Sequence, residues 1–315
     1  MKQRTIKESF SLNGKGLHSG LKTTVTFRPA PVDFGYRIQR TDLEESPVII
    51  ASAGNVKHSQ RCTLLSVGGV EVATIEHALA ALYGCEIDNC LIEVDSPEFP
   101  ILDGSSIEYV RQIQRVGFEV QAKERIYFEV EEPIEYVDAE TGSYLKLLPA
   151  DHFRVEVQIV FDSAVLPLQH ASLDRLTDFT TDISMCRTFV FIKEIEQLLK
   201  HGLIKGGDLD NAIVINDQLI DQQEVDRLAD IMGIERKSID KMGYVMNKPL
   251  AFPNEPARHK LLDVIGDVAL VGRFIKGHII ANRPGHRVNN LFARKILEQM
   301  QAEPMLEMQE KRVLV

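Results

Sequence analysis

Apolar and polar residues alternate along the chain with two periods, one typical of strands and one of helices. Val25 and Phe27 alternate with Thr24 and Thr26, which predicts a half-buried strand. Apolar residues at helical spacing follow from Ile75 onward. In the first third, the pattern predicts a hairpin of 63–67 with 70–73 about Gly68-Gly69, a helix over 74–83, a strand over 91–94 and a helix over 106–116.

The pattern restarts after a polar stretch at 120–126. Phe153 to Phe161 alternates cleanly and predicts a strand. Further along, the same criteria predict a helix over 189–201, a strand over 211–215, a helix over 258–272, a strand over 275–281 and a helix over 288–300. The long polar segment 217–256 is weakly helical and is interpreted as an insertion.

Each half of the chain therefore follows the order strands, helix, strand, helix. We expect an α+β fold of two similarly built domains, each a sheet layer packed with helices, with residues 1–123 and 124–301 as the domains. The remaining residues, 302–315, are acidic and then end on apolar residues. They are interpreted as a tail or linker, with the start of a strand as the alternative.

Charge and composition narrow the classes of partner. The net charge is −10, which argues against duplex nucleic acid, because phosphate binding depends on Lys and Arg. A local basic pocket for one phosphorylated small molecule is compatible with this balance. No secretory signal or membrane-spanning run is evident, and four cysteines do not make a disulfide framework. We expect a cytoplasmic protein with no membrane span.

A His and an Asp lie four residues apart on a predicted helix. His259 and Asp263 project from one face, where an imidazole and a carboxylate can bind one metal ion. Asp267 lies four residues further along nearly the same stripe. An exposed polar pair is the commoner outcome of this spacing, so the motif alone leaves both interpretations open.

A second carboxylate and imidazole stand side by side at a predicted helix start. Glu76 and His77 point about 100° apart on a helix, so they divide work better than they share an ion. His77 would bind a metal while Glu76 acts as general base. An acidic first turn favoured by the helix dipole is the alternative.

A third histidine stands in a Gly/Pro turn just after a predicted strand. His286 follows Pro284-Gly285, a rigid loop position of the kind that often carries catalytic groups. Arg283, Arg287 and Arg294 make this the most basic local cluster and suit an anionic substrate. A solvated loop is the alternative. The glycines at 14, 16 and 20 do not fit the dinucleotide fingerprint, because their spacing differs and a strand follows.

Taken in order, short motifs along nearly the whole chain resemble the UDP-3-O-acyl-N-acetylglucosamine deacetylases of lipid A biosynthesis. The motifs are Gly16-Leu-His18-Ser-Gly20, Arg28-Pro-Ala-Pro, Arg40-Thr-Asp, Thr74-Ile-Glu-His77, Ile87-Asp-Asn89, Phe99-Pro-Ile-Leu-Asp-Gly-Ser105, Arg187-Thr-Phe-Val-Phe191, Arg258-His-Lys-Leu-Leu-Asp263-Val-Ile-Gly-Asp267 and Gly285-His286. Each motif is short, but their shared order is specific.

The resemblance implies one catalytic zinc bound by His77, His259 and Asp263, with iron(II) as an alternative because the same ligands suit both. It implies hydrolysis of the 2-acetamido group of UDP-3-O-(3-hydroxyacyl)-N-acetylglucosamine, giving acetate and a free amine. Since the ligands come from both halves, the active site should lie at the domain interface. Glu76 matches the family's general base.

The resemblance also implies roles for other residues. His286 would protonate the leaving amine, Asp267 would orient it, Thr188 would hold the oxyanion, and Lys260 would point into the site. Its implied substrate-binding residues are Phe161, Phe191, Arg283 and Cys62, with no catalytic role for the cysteine. The family's acyl chain occupies an apolar passage made by an insert, which the sequence places only within the second half.

Two further expectations concern partners and rival functions. Some members of the family are fused to a hydroxyacyl-acyl carrier protein dehydratase, and the abrupt tail predicts a fused or neighbouring domain of that kind. A zinc deacetylase for another nucleotide sugar, or a non-enzymatic binder of an acylated sugar nucleotide, are the alternatives. A binder has no need of the general base that Glu76 provides.

Overall fold

Two larger mixed sheets, three smaller sheets and several helices make up the described residues, as the α+β prediction requires. The computed structural model describes residues 1–57, 61–239 and 241–313, and for 303–313 it describes the backbone alone. Among the described residues, no helix combines the length and the apolar character that crossing a membrane needs.

The first half builds a five-stranded sheet in the order β2-β3-β9-β4-β5, in which only the β4–β9 pair is parallel. The helices and strands of the first half are β1 (Lys2–Ile6), β2 (Phe10–Lys15), β3 (Lys22–Pro29), β4 (Tyr36–Arg40), β5 (Val48–Ile50), β6 (Val56–Lys57), β7 (Leu64–Val67), β8 (Val70–Ala73), α1 (Glu76–Gly84), β9 (Cys90–Val94), α2 (Ile107–Val116) and β10 (Phe118–Glu124).

The second half repeats this topology in the order β12-β13-β19-β14-β15, in which only the β14–β19 pair, next to the centre, is parallel. Strand β11 adds a sixth strand, which pairs in parallel with β19. The helices and strands of the second half are β11 (Tyr127–Glu129), β12 (Ile134–Asp138), β13 (Ser143–Leu148), β14 (Phe153–Val160), β15 (Leu168–Leu173), α3 (Phe179–Asp182), β16 (Phe189–Phe191), α4 (Ile192–Lys200), β17 (Ile213–Asn216), α5 (Gln222–Met232), β18 (Gly243–Val245), α6 (Glu255–Val268), β19 (Phe274–Asn282) and α7 (His286–Val313).

Helices from the two halves pack against each other. Helix α1 contacts α2 and α6, and α6 contacts α7 and the strands β14 and β15. One hydrophobic core runs through both halves and includes residues 78–83 of α1, and every residue of α1 is buried. The two similarly built halves are therefore joined through their helices.

The second half carries an additional small sheet, β16-β17-β18, flanked by α4 and α5. A separate hydrophobic cluster holds it together, formed by residues such as Ile195, Leu198, Val214 and Leu228. The segment 217–256, interpreted as an insertion, supplies α5 and β18 to this unit. The unit stands beside the main core and forms one wall of the cavity described below.

Three predicted elements differ from the structure. Residues 189–191 form β16 rather than the first turn of a helix, because they pair in parallel with 213–215. The polar stretch at 120–126, after which the pattern restarts, is partly a strand, since its first part belongs to β10, which pairs with β1. Residues 302–313 continue α7 instead of starting a strand, since Glu, Gln, Met and Leu favour helix there. Leu314 and Val315 lie outside the described residues.

Candidate metal and catalytic site

Two helices approach unusually closely where the candidate residues meet. A Cβ atom on Gly266 of α6 would lie 2.2 Å from the carbonyl oxygen of Glu76 on α1, so only glycine fits there. Helix α1 itself starts at Glu76, after Thr74 adopts a left-handed backbone conformation with φ +59°. The crossing brings the first turn of α1 against the face of α6 that carries His259 and Asp263.

His77, His259 and Asp263 converge at this crossing. One ligand atom from each lies within 4.8 Å of the others, and all three residues are buried. Asp263 Oδ1 lies 3.4 Å from His259 Nε2 and 3.9 Å from His77 Nε2, and it has no hydrogen-bond partner. A buried carboxylate oxygen without a partner, facing two imidazole nitrogens, fits a bound cation.

The protonation states of these groups also suit a cation. Burial, reinforced by His259, lowers the pKa of His77 to about 3, and burial lowers the pKa of His259. His259 Nδ1 lies 3.0 Å from the carbonyl oxygen of Cys186, to which it donates, so Nε2 carries the free lone pair. Burial opposes ionisation of Asp263, but His259 and Lys260 lower its pKa below the usual range.

Glu76 lies against this trio with an altered acidity. Its side chain is buried, and burial raises its pKa to about 7, helped by the Asp267 and Asp263 charges and opposed by His286. Glu76 Oε2 accepts a hydrogen bond from the backbone N–H of Thr63, 3.1 Å away. A carboxylate with such a pKa exchanges protons readily near neutral pH, as a general base must.

His286 stands opposite Glu76 at the start of α7. Its Nε2 lies 3.6 Å from Glu76 Oε1, and its Nδ1 lies 3.0 Å from Asp267 Oδ2. Burial disfavours its charge, but Asp267, Glu76 and Asp263 outweigh burial and raise its pKa to about 9. His286 is therefore an imidazolium near neutral pH, aimed at the same space as Glu76.

The remaining predicted residues divide between the cavity wall and its surroundings. Thr188, Lys260, Phe161, Phe191 and Arg283 line a cavity of about 750 Å³. Lys260 Nζ lies 2.7 Å from Asp263 Oδ2. The backbone N–H of Thr188 donates to the carbonyl oxygen of Gly104, 2.8 Å away.

Cys62 does not lie on the described cavity wall. It is buried next to Glu76, and burial, reinforced by that carboxylate, raises the pKa of its thiol to about 12. The thiol is therefore neutral near neutral pH. Its expected contact with substrate stays a prediction.

The predicted arginine cluster is only partly in place. Arg283 and Arg287 line the cavity, but Arg287 pairs with Asp138, and Arg294 donates to the carbonyl oxygens of Ala53 and Val56. Including Arg294 among groups for an anionic substrate was therefore wrong. Arg294 follows Arg287 along α7, but it lies on the face of that helix that packs against the 53–56 segment.

Several cavity residues escaped the sequence prediction. The buried imidazole of His18 lines the cavity, with Nε2 lacking a partner. Its loop is held by Glu98, which accepts hydrogen bonds from the backbone N–H groups of His18 and Ser19. Phe189 completes an aromatic cluster, with its ring centroid 5.8 Å from that of Phe161. The Gly-Leu-His-Ser-Gly motif was the available signal for His18.

Beyond the polar groups, the cavity becomes apolar. It runs into the small sheet unit, between α4 and α5. Its wall there is formed by Ile192, Ile195, Leu198, Ile204, Leu209, Ala212, Val214, Val225, Leu228, Ala229, Met232, Ile234, Ile239 and Val245. We call this part the apolar passage. It can accept a long hydrocarbon group whose polar end lies near Glu76 and His286.

Comparison with known proteins identifies a family whose model matches this chain. A family model described as UDP-3-O-acyl N-acetylglycosamine deacetylase matches residues 3–243 and 237–298. The chain is 53% identical over 300 residues to a bifunctional enzyme LpxC/FabZ of Bacteroides thetaiotaomicron, and 54% identical over 299 residues to one of Porphyromonas gingivalis. Each match covers 95% of this chain and 65% of the relative.

A more distant relative matches over most of its own length. The UDP-3-O-acyl-N-acetylglucosamine deacetylase of Myxococcus xanthus is 38% identical over 296 residues, which are 94% of this chain and 86% of that protein. The chain thus spans just under two thirds of the length of the bifunctional relatives and 86% of the length of the Myxococcus xanthus deacetylase.

Proposed function

We propose a deacetylase function from one premise: the chain belongs to the UDP-3-O-acyl N-acetylglycosamine deacetylase family. The proposed reaction is hydrolysis of the 2-acetamido group of UDP-3-O-(3-hydroxyacyl)-N-acetylglucosamine to acetate and a free amine, the committed step of lipid A biosynthesis. The proposed compartment is the cytoplasm. The observation that carries the proposal is a buried, unpartnered Asp263 oxygen facing two neutral imidazoles next to Glu76.

His77, His259 and Asp263 would hold one divalent ion, which we propose is zinc, with iron(II) as the alternative that suits the same ligands. When bound, such an ion polarises an amide carbonyl as a Lewis acid and makes water more acidic. Three protein ligands leave a position open, as catalytic sites require.

Glu76 is the proposed general base. Its pKa of about 7 leaves a substantial fraction of the carboxylate free to accept a proton from the attacking water. The Thr63 N–H holds one carboxylate oxygen, so the other, Oε1, faces the reacting space. Removing the proton as water attacks gives the tetrahedral intermediate of amide hydrolysis.

His286 is the proposed general acid. Its raised pKa keeps the imidazolium at neutral pH, and Asp267 on Nδ1 directs Nε2 toward the amide nitrogen. Collapse of the tetrahedral intermediate breaks the carbon–nitrogen bond, and Nε2 supplies the proton to the departing amine. Glu76 and His286 thus have separate roles. The pKa of His286 lies above that of Glu76, so the imidazole still holds its proton at a pH where the carboxylate can accept one.

Negative charge forms on the carbonyl oxygen during this reaction. The Thr188 hydroxyl and the Lys260 ammonium lie on the cavity wall and are the proposed donors that stabilise it. The backbone of Thr188 is fixed between Gly104 and Ile213, which holds this donor in place before substrate arrives.

The substrate's two ends fit different parts of the cavity. The apolar passage is the proposed site of the acyl chain. Phe161, Phe191 and Arg283 are the proposed contacts of the sugar nucleotide, where the arginine offsets a diphosphate charge. Cys62, which is buried next to Glu76, is a further proposed substrate contact, without a catalytic role.

A hydroxyacyl-acyl carrier protein dehydratase, fused or neighbouring, is the proposed partner. The support is the word bifunctional in the names of two relatives, which extend beyond the region matched by this chain. The two-domain division at residue 123, with the site between the halves, is likewise a proposal that rests on the repeated topology.

A direct assay tests the proposed reaction. Purified chain is incubated with UDP-3-O-acyl-N-acetylglucosamine of graded acyl length, and acetate release is measured with metal content on the same sample. We expect turnover that depends on the acyl chain. Equal turnover on UDP-N-acetylglucosamine without an acyl chain would favour a deacetylase for another nucleotide sugar, and binding without acetate release would favour a non-enzymatic binder.

A further inference from the structure

The buried carboxylate of Asp267 is surrounded by donors. Oδ2 accepts from His286 Nδ1 at 3.0 Å and from the Asn289 amide at 2.9 Å. Oδ1 accepts from the Thr63 hydroxyl at 2.5 Å, with the Asn290 amide 3.4 Å away. Asp267 itself is fully buried. Hydrogen bonds from four donor groups satisfy an ionised carboxylate and leave a protonated one without an acceptor.

Thr63 differs from the other donors because it comes from the first half of the chain. The side-chain amide of Asn290 donates to Thr63 Oγ1 over 2.9 Å. The single hydroxyl proton of Thr63 is therefore directed to Asp267 Oδ1. Thr63 Oγ1 also lies 3.3 Å from His286 Nδ1, so the hydroxyl contacts both members of the Asp267–His286 pair.

The backbone of Thr63 is anchored to the other side of the site. Its N–H donates to Glu76 Oε2 over 3.1 Å, and its carbonyl oxygen accepts from the backbone N–H of Thr74 over 3.0 Å. Thr63 has no exposed surface. One residue thus contacts the base through its backbone and the acid's partner through its side chain.

We propose that Thr63 is a positioning residue that sets the orientation of His286 relative to Glu76 across the two halves of the chain. Its hydroxyl fixes the plane of the Asp267 carboxylate, and that plane fixes the imidazole ring. The inference rests on the proposed function only for its effect on turnover, because the orientation itself is a property of the protein without substrate.

Two substitutions separate the hydroxyl from the shape. Thr63→Val keeps the volume and the backbone but removes the donor to Asp267, whereas Thr63→Ser keeps the donor. We expect Thr63→Val to lower kcat by about 10- to 100-fold with KM and metal content little changed, as for other residues that orient a reacting group from behind. Thr63→Ser should retain kcat within about threefold of the original chain.

A second readout needs no turnover. The proton on His286 Nδ1, held by Asp267 and shielded from water, should give a slowly exchanging proton resonance, identified by its loss in His286→Gln. We expect this resonance to persist in Thr63→Ser and to exchange rapidly in Thr63→Val. If the original chain released no acetate, the proposed function would fail while this comparison still decided the role of Thr63.

Thr5→Val is the matched control for stability. Thr5 is also buried, and its hydroxyl donates to the carbonyl oxygen of Asn89, the residue before β9, over 2.8 Å. It should lower the melting temperature as Thr63→Val does but leave kcat and the His286 resonance unchanged. An unchanged resonance and kcat in Thr63→Val, or equal losses in the Val and Ser variants, would overturn the proposal.

Discussion

Glu76 Oε1 and His286 Nε2 lie 3.6 Å apart, one on the first turn of α1 and the other on the first turn of α7. The two side chains come from opposite halves of the chain and face one reacting space. Burial raises the pKa of the carboxyl, while the Asp267 carboxylate helps to raise the pKa of the imidazole against burial. A base and an acid are therefore available together over one range of pH.

The pH dependence of kcat/KM should be bell-shaped. Activity requires ionised Glu76, so it rises as pH passes about 7, and it requires protonated His286, so it falls as pH passes about 9. Initial rates at low substrate concentration from pH 5 to 11 test this. His286→Gln should remove the alkaline limb and keep the acidic one. A profile that rises steadily through pH 10 would exclude an acid with the acidity assigned to His286.

Glu76→Gln should separate catalysis from metal binding. The amide keeps the size of the side chain but does not accept the proton of water, so kcat should fall by about 10²- to 10⁴-fold. The three ligands are untouched, so metal content should stay at that of the original chain. Atomic absorption and acetate release on one sample measure both. A kcat within a few-fold of the original would remove Glu76 from the role of base.

Gly266→Ala tests the close crossing of α1 and α6. The new Cβ would stand 2.2 Å from the Glu76 carbonyl oxygen, so the helices must separate. We expect the free energy of unfolding to fall by about 1–3 kcal/mol. We also expect kcat to fall by more than this loss of stability alone would cause, because Glu76 moves with α1. Denaturant unfolding gives the first quantity. Gly54→Ala, where the nearest atom is 3.8 Å from the new Cβ, is the control and should change neither.

Ala229→Phe tests the apolar passage. Ala229 is a buried residue of α5 on the passage wall, so a larger side chain shortens the space for the acyl group. Displacing about two methylenes at about 0.8 kcal/mol each predicts a rise of about tenfold in KM for a long-chain substrate. A short-chain substrate should be little affected. Ala122→Phe, at an exposed position of β10, is the control and should leave both KM values unchanged. Equal KM changes for the long-chain and short-chain substrates in Ala229→Phe would place the acyl chain elsewhere.

The sequence predicts the helices that carry the site because their patterns are local. His259 and Asp263 were placed on one face of a helix by spacing alone, and α6 places them so. The pairing of His77 with His259, whose ring centroids lie 5.1 Å apart, depends on the packing of α1 against α6. Periodicity carries no information on such packing. From the sequence, only the family resemblance predicts that His77 and His259 lie in one site.

Short and irregular features were the hardest to predict. Residues 189–191 are too few to show an alternation, and they form a strand only because 213–215 lies parallel to them. Arg294 matched the spacing of a basic cluster but faces carbonyl oxygens at 53 and 56. Thr63 carries no motif of its own, since its role depends on contacts with residues more than 200 positions away along the chain.

Metal removal tests the central claim most directly, that His77, His259 and Asp263 bind a metal on which deacetylation depends. Acetate release from UDP-3-O-acyl-N-acetylglucosamine is measured on the chain after exhaustive chelation and again after stoichiometric zinc is added. We predict loss of activity on chelation, recovery with zinc, and neither metal nor recovery in His259→Ala. Full activity in chelated protein of verified zero metal content would contradict the claim.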